Sequence, residues 1–174
     1  MITIIIGTNR QNSVSRKVGI NYQKILKSLD HDSQITDLAE LPTDFAFSAL
    51  YQNSGKNEAF NEFQKIVDET KKFVFIVPEY NGSFPGVLKT FFDGLRYPDS
   101  FNNKKAALVG ISAGILGNAV GLGHLNDILS YMGTDVLGLR MKLGNMKAHF
   151  NGEEFTFEVY RNFLEKQAKA LIAF

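Results

Sequence analysis

Short apolar runs that alternate with helix-period segments are the feature that most constrains the fold of this chain. The runs at residues 2–6, 73–77 and 106–112 are almost continuously apolar, which is typical of strands covered on both faces of a sheet. Two weaker runs, at residues 34–38 and 135–141, predict two more strands. Between the runs, apolar residues recur at i, i+3 and i+4, the spacing of an amphipathic helix.

This spacing predicts five helices, at residues 14–29, 57–72, 85–95, 117–132 and 155–174. In the last of them we expect an inner stripe of Val159, Phe163, Leu164, Ala168 and Leu171. Strict alternation of strands and helices indicates a parallel sheet with helices on both faces. The predicted fold is therefore α/β, a flavodoxin-like three-layer sandwich around a five-stranded parallel sheet of order 2-1-3-4-5. Residues 1–174 fit one domain.

Composition excludes several classes of protein. The chain has no cysteine, which excludes disulfides, thiolate catalysis and Cys-type metal sites. A net charge of +1 lacks the basic footprint of a nucleic-acid binder, and no membrane role is expected. The first apolar run, residues 2–6, is too short for a signal peptide or a membrane span, so we expect a cytoplasmic protein. His31, His124 and His149 have no spacing to acidic residues that would predict a metal site.

The loop at residues 7–15 follows a buried strand and reads Gly-Thr-Asn-Arg-Gln-Asn-Ser-Val-Ser. Ligands of open α/β sheets bind beyond the carboxyl ends of the strands. Here Thr8, Ser13 and Ser15 supply hydroxyls, Arg10 supplies a cation, and the helix that follows supplies free N–H groups. These groups favour a phosphate monoester. The alternative is an ordinary polar loop with Ser13 as the helix N-cap. The loop matches neither the Walker nor the G-x-G-x-x-G pattern.

Two further loops share the same predicted edge of the sheet. Residues 78–86 read Pro-Glu-Tyr-Asn-Gly-Ser-Phe-Pro-Gly, in which Tyr80 offers a flat face and Asn81 and Ser83 offer hydrogen bonds. This composition suits a planar heterocycle, although a rigid turn would look the same. The small residues of the loop at 112–118 permit close approach of a ligand, as would an ordinary glycine turn.

Residues 41–55 are the longest stretch without a clear pattern, and they hold aromatic residues among polar ones. Long irregular segments in compact domains are often lids or binding loops. We therefore expect this segment to lie near a functional site.

The loop motifs resemble those of one family. Its first loop reads roughly Gly-Ser-x-Arg-x-x-Ser-x-Asn, and its second motif reads Pro-Glu-Tyr-Asn-x-Ser-x-Pro-Gly-x-Leu-Lys-Asn-x-x-Asp. Residues 7–15 and 78–93 match both, with Thr8, Ser15 and Thr90 as the departures. The chain is similar throughout to the NADPH-dependent FMN reductase family, whose relatives include small quinone, azo and chromate reductases.

The resemblance implies an FMN site, and it implies no catalytic side chain, because the chemistry takes place at flavin N5. The implied cofactor-binding residues are Thr8, Arg10, Gln11, Ser13, Val14, Ser15, Pro78, Glu79, Tyr80, Asn81, Gly82, Ser112 and Gly114. The first-loop hydroxyls and Arg10 would hold the phosphate, the residues from Pro78 to Asn81 would wrap the isoalloxazine ring, and Ser112 and Gly114 would approach its far edge. Lys89 and Asp93 are interpreted as structural.

The implied activity is FMN-dependent NAD(P)H oxidoreduction, with ping-pong hydride transfer from NADPH or NADH to small acceptors such as quinones, azo compounds or flavin. Two alternatives stay open: a flavodoxin-type electron carrier and a non-catalytic FMN-binding protein. Electron carriers of that type are usually strongly acidic, unlike this near-neutral chain.

The resemblance also implies a homodimer that pairs through the helix after Pro85. Residues expected to line the site across the dimer are Phe45, Phe47, Tyr51, Phe84 and Tyr97. Relatives often carry arginines that contact a further pair of subunits. Val120 and Asn126 stand at those places, which weakens the expectation of a tetramer.

Overall fold

The computed structural model describes residues 1–174 and is built around one parallel sheet. Its strands are β1 (Ile2–Ile6), β2 (Ser33–Asp37), β3 (Lys72–Pro78), β4 (Lys105–Ile111), β5 (Asp135–Val136) and β6 (Met141–Leu143). The strand order β2-β1-β3-β4-β5 confirms the prediction, and every pairing is parallel. In the register of the central strands, Ile4 lies between Ile35 and Val74.

The fifth strand is broken, where the sequence predicted one run over residues 135–141. Both β5 and β6 pair with β4, but the residues between them leave the ladder. Gly138 lies in this gap, and glycine weakens a strand interior. The amide of the buried Gln167 fills the gap by donating to Leu108 O at 3.0 Å and to Leu139 O at 2.7 Å. A side chain thus replaces the missing strand pairing.

Helices cover both faces of the sheet, as predicted. They are α1 (Val14–Ser28), α2 (Phe45–Ser48), α3 (Glu58–Glu69), α4 (Gly86–Gly94), α5 (Ala119–Tyr131), α6 (Met146–His149) and α7 (Glu158–Ala173). One apolar core lies between the sheet and α1 with α7, and the other lies between the sheet and α3, α4 and α5. None of the helices has both the length and the apolarity that a membrane crossing needs.

The inner stripe predicted for α7 is correct in part. Leu164, Ala168 and Leu171 are fully buried. Val159 and Phe163, however, are 41% and 47% exposed, so their assignment to the core was wrong. Tyr160 packs against the same core, so the inner stripe runs through residues 160, 164, 168 and 171 and not through 159 and 163.

The segment at residues 41–55 is folded rather than irregular. It contains α2 and a 3₁₀ turn at Tyr51–Asn53. Phe45 is 7% exposed and stacks on Phe60 with ring centroids 5.7 Å apart, so the expectation that Phe45 lines a ligand site was wrong. Phe47 and Tyr51 remain exposed.

Gly110 in β4 allows the loop after this strand to fold back over its own strand. A Cβ at Gly110 would lie 2.2 Å from Gly117 O and 3.0 Å from Leu122 Cγ. We expect Gly110→Ala to lower the free energy of unfolding by about 2–3 kcal/mol, because the backbone at Gly117 must shift. Urea unfolding followed by circular dichroism measures the change.

Gly123→Ala is the matched control, because a Cβ there meets nothing within 4 Å and the residue is helical. We expect it to stabilise the protein by up to about 1 kcal/mol. Equal unfolding midpoints for the two variants would contradict the close approach at Gly110.

Candidate functional site

A cavity of about 810 Å³ lies beyond the carboxyl ends of β1, β3 and β4. Its volume falls in the range of small-molecule sites. The chain order reverses at this place in the sheet, because β1 pairs with β2 on one side and β3 on the other. The cavity is therefore where the topology predicts a ligand.

Most of the predicted site residues meet at this cavity. Those that line it are Thr8, Arg10, Gln11, Ser13, Val14, Ser15, Pro78, Glu79, Tyr80 and Ser112. Asn81, Gly82 and Gly114 do not line it. Asn81 and Gly82, with φ values of 52° and 77°, form the two-residue tip of a hairpin closed by Tyr80 and Ser83. Gly114 O accepts a hydrogen bond from Ser112 Oγ at 2.7 Å.

Sequence reasoning missed one wall of the cavity. The lining residues outside the predicted set are Asn12, Ile111, Ala113, Met146, Lys147, Phe150, Asn151 and Gly152. Most of them follow β6, at the carboxyl end of the last strand. The rule that ligands bind beyond the carboxyl ends of strands also selects this segment. The last strand was predicted to end at residue 141, two residues before β6 ends, so the segment was not recognised as a loop at a strand end.

The first loop brings to the cavity the groups that suit an anion. Ser13 is the N-cap of α1, and its Oγ accepts a hydrogen bond from Arg16 N at 3.1 Å. The Arg16 guanidinium lies 2.8 Å from Asp37 Oδ2 and is therefore committed to that carboxylate. Arg10 forms no ion pair in the chain, which leaves its charge available to a ligand. The first N–H groups of α1 add a partial positive charge.

Thr8 and Tyr80 join the first loop to the second. The two hydroxyl oxygens lie 2.8 Å apart, and Thr8 Oγ1 also accepts a hydrogen bond from Arg10 N at 3.2 Å. A threonine hydroxyl has two acceptor positions and one proton. When Tyr80 donates to it, both acceptor positions are filled, and Thr8 keeps its proton for an acceptor atom in the cavity.

Asn118 braces the second loop against the third. Its Nδ2 donates to Val77 O at 3.2 Å and to Pro78 O at 3.0 Å, where β3 ends. The residue is 1% exposed and has a φ of 58°, a left-handed conformation that asparagine tolerates well. Across the same junction, Glu79 N donates to Ile111 O at 2.8 Å. The two loops are thus held as one unit.

Ser112 fixes the shape of the third loop. Its Oγ donates to Gly114 O and accepts from Gly117 N at 2.9 Å. The helix that follows the second loop is fixed separately, because Lys89 Nζ lies 2.7 Å from Asp93 Oδ1 one turn away. This ion pair confirms the structural interpretation of Lys89 and Asp93.

These contacts describe a cavity with two chemically different ends. One end offers hydroxyls, helix N–H groups and the free cation of Arg10, as a phosphate requires. The other end offers the ring of Tyr80 and the backbone of two braced loops, which suit a flat, polar-edged molecule. Glu79 is the single carboxylate among the lining residues, and it is exposed.

Comparison with known proteins agrees with this geometry. The sequence profile of a family described as NADPH-dependent FMN reductase matches residues 1–144. A 2-hydroxy-1,4-benzoquinone reductase of Burkholderia sp is 25% identical over 96% of this chain and 93% of its own length. An FMN-dependent NADPH-azoreductase of Staphylococcus aureus is 30% identical over 72% of this chain and 67% of its own length.

Solved structures share the fold. FerB, a flavoenzyme NAD(P)H:(acceptor) oxidoreductase from Paracoccus denitrificans, superimposes with a TM-score of 0.80 at 22% identity, over 99% of this chain and 94% of its own. An FMN-dependent NADH-azoreductase from Bacillus anthracis, solved in complex with FMN, has a TM-score of 0.62 at 15% identity and covers 99% of both chains. At these identities the likeness establishes the fold.

Asn118 yields a test of the loop bracing. We expect Asn118→Ala to lower the free energy of unfolding by about 3 kcal/mol, because two carbonyls at the end of β3 lose their donor and a left-handed alanine is strained. Asn103→Ala is the control, since Asn103 has a φ of 56° but is exposed and forms no side-chain hydrogen bond.

Because both variants carry the same backbone strain, the difference between them measures the two hydrogen bonds of Asn118. Chemical denaturation gives both free energies. Equal losses in the two variants would show that the bracing contributes nothing.

Proposed function

The chain belongs to the NADPH-dependent FMN reductase family, and from that premise we propose that it binds FMN in the cavity and reduces a small oxidised acceptor with NADPH. Quinones and azo compounds are the acceptor classes that its relatives' names support. The observation that carries the proposal is the meeting of an anion-binding loop and a ring-binding loop in one cavity, joined by the hydrogen bond between Thr8 and Tyr80.

The residues present fit FMN. The cofactor's phosphate monoester needs hydroxyl and N–H donors with a nearby cation, and Thr8, Ser15 and Arg10 line the same end of the cavity. Thr8 and Ser15 are almost fully buried, so their hydroxyls are already sheltered from water. Thr8 keeps the hydroxyl of the family's usual serine, and Ser15 offers a hydroxyl donor of shorter reach where asparagine is frequent.

The chemistry that FMN supplies when bound is two-electron transfer between NADPH and the acceptor. The chain's own residues orient and shelter the reactants. We assign the phosphate to the loop at residues 7–15 and the ring to the backbone from Pro78 to Asn81, with Gly82, Ser112 and Gly114 shaping its surroundings. No side chain is assigned a proton-transfer step.

The same proposal covers the extent and location of the protein. We propose that residues 1–174 act as one FMN-binding domain, since the loops that line the cavity come from both halves of the chain. We also propose a cytoplasmic location, because reduced nicotinamides are kept inside cells.

A homodimer is part of the proposal, and it rests on a second cavity of about 530 Å³ between α4 and α5. Tyr97 and Tyr131 stack at its rim with ring centroids 6.0 Å apart, and they are 66% and 77% exposed. Exposed aromatic residues beside an apolar groove are typical of interface cores. We propose that a second copy of the chain covers this face, which includes the helix after Pro85.

Turnover separates the enzyme from the alternatives. Purified protein loaded with FMN is mixed with excess NADPH and a benzoquinone, and the absorbance of NADPH is followed. We expect sustained NADPH loss and parallel double-reciprocal plots, because one cavity must serve NADPH and the acceptor in turn. A single stoichiometric reduction of the flavin would indicate an electron carrier, and failure of NADPH to bleach it would indicate a non-catalytic binder.

Tyr131→Glu tests the proposed dimer face. A charge in the centre of an apolar interface is costly to desolvate, so we expect the variant to sediment as a monomer under conditions in which the wild type is a dimer. Phe163→Glu is the control, because Phe163 is 47% exposed on α7, on the opposite face of the sheet. Dissociation of the control alone would move the interface to α7, and a monomeric wild type would exclude the dimer.

A further inference from the structure

The wall of the cavity formed by the segment after β6 lies outside the region that the family profile matches. The profile ends at residue 144, whereas Met146, Lys147, Phe150, Asn151 and Gly152 line the cavity. None of the residues that the family resemblance implies for the cofactor lies in this wall, so its contribution depends on its own side chains.

The segment is firmly attached to the established loops. Asn145 N donates to Gly114 O at 2.7 Å, and Met146 N donates to Ser112 O at 3.3 Å. Met146 and Phe150 are buried in the core between the sheet and α1 with α7. Lys147 is therefore carried on a short helix, α6, whose position is fixed on both sides.

The segment leads from the third loop toward the start of α1. At its far end, a Cβ built on Gly152 would lie 3.7 Å from Lys17 Nζ, in the first turn of α1. It thus spans the distance between the loop at residues 112–118 and the phosphate-binding loop. Lys147 lies on this path, and it lines the same cavity as the loop at residues 8–15.

The formal charges of the residues that line the cavity balance only part of the negative charge of a phosphate monoester. FMN phosphate carries close to two negative charges at neutral pH. The charged residues that line the cavity are Arg10, Lys147 and Glu79. Without Lys147, the charges of Arg10 and Glu79 would cancel, and the lining would have no net formal charge. Lys147, like Arg10, forms no ion pair with any carboxylate of the chain.

We propose that Lys147 is a second cationic ligand of the FMN phosphate and acts together with Arg10. This inference rests on the proposed function. An ammonium group on a flexible stem binds phosphate as a point charge, and it complements the fixed fork of an arginine. Lys147 thereby makes the cavity select the phosphorylated flavin over riboflavin.

The test compares FMN with riboflavin, which has the same ring and lacks the phosphate. Each flavin is titrated with apoprotein, and its dissociation constant is read from quenching of flavin fluorescence. We expect Lys147→Gln to weaken FMN binding about tenfold, the typical effect of losing one hydrogen bond to a charged group. Riboflavin binding should stay unchanged, because no phosphate is present.

Lys142→Gln is the matched control, since Lys142 is an exposed lysine on β6 that does not line the cavity. It should leave both dissociation constants at their wild-type values. Combining Lys147→Gln with Arg10→Gln should weaken FMN binding by a factor that differs from the product of the two single effects, because the two cations share one phosphate.

Equal weakening of FMN and riboflavin by Lys147→Gln would overturn the proposal, because it would indicate a distorted cavity. Unchanged FMN binding with a raised KM for NADPH would also overturn it, because the lysine would then serve the nicotinamide cofactor. A wild-type protein that binds neither flavin would refute the proposed function itself, which separates that failure from a failure of the inference.

Discussion

The arrangement of this protein depends on one constraint: a parallel sheet covered on both faces has no water with which to satisfy its backbone where pairing stops. Unpaired carbonyls inside a protein are costly, so side chains must replace the missing partners. Gln167 does so at the break between β5 and β6, and Asn118 does so at the end of β3. Both are buried amides that donate two hydrogen bonds. Side-chain amides thus supply hydrogen bonds to backbone carbonyls at both irregular places in the sheet.

The sequence was a good guide wherever apolar runs were continuous. The strands at residues 2–6 and 73–77 were predicted almost to the residue, because burial on both faces leaves no choice of residue type. Alternation indicated a parallel sheet, and five strands suited the flavodoxin-like order, which placed the three loops at one edge. A single buried polar residue that replaces strand pairing, such as Gln167, cannot be recognised from a sequence pattern. The assignment of Val159 and Phe163 to the core was wrong for a related reason, since apolar spacing alone does not fix which side of a helix faces the core.

The candidate site was predictable to the extent that it is made of local sequence. The loops at residues 7–15 and 78–86 carry their chemistry in consecutive residues, and the structure brings them to one cavity. The wall at residues 146–152 comes from a segment with no motif, placed there by hydrogen bonds to Ser112 and Gly114. Long-range backbone contacts of this kind are invisible in a single sequence. Family resemblance did not reveal the wall either, because none of the cofactor residues that it implied lies in this segment.

The hydrogen bond between Thr8 and Tyr80 has a thermodynamic consequence for the ligand. Ordering a loop on binding costs free energy that is subtracted from affinity. Here the two loops that we assign to the phosphate and the ring are already joined at 2.8 Å, and the hairpin tip at Asn81 and Gly82 is closed by its own backbone. A cofactor that binds here therefore contacts loops whose conformational entropy was already lost during folding. The entropy cost of ordering these loops lowers the stability of the fold, and it does not lower the affinity for the ligand.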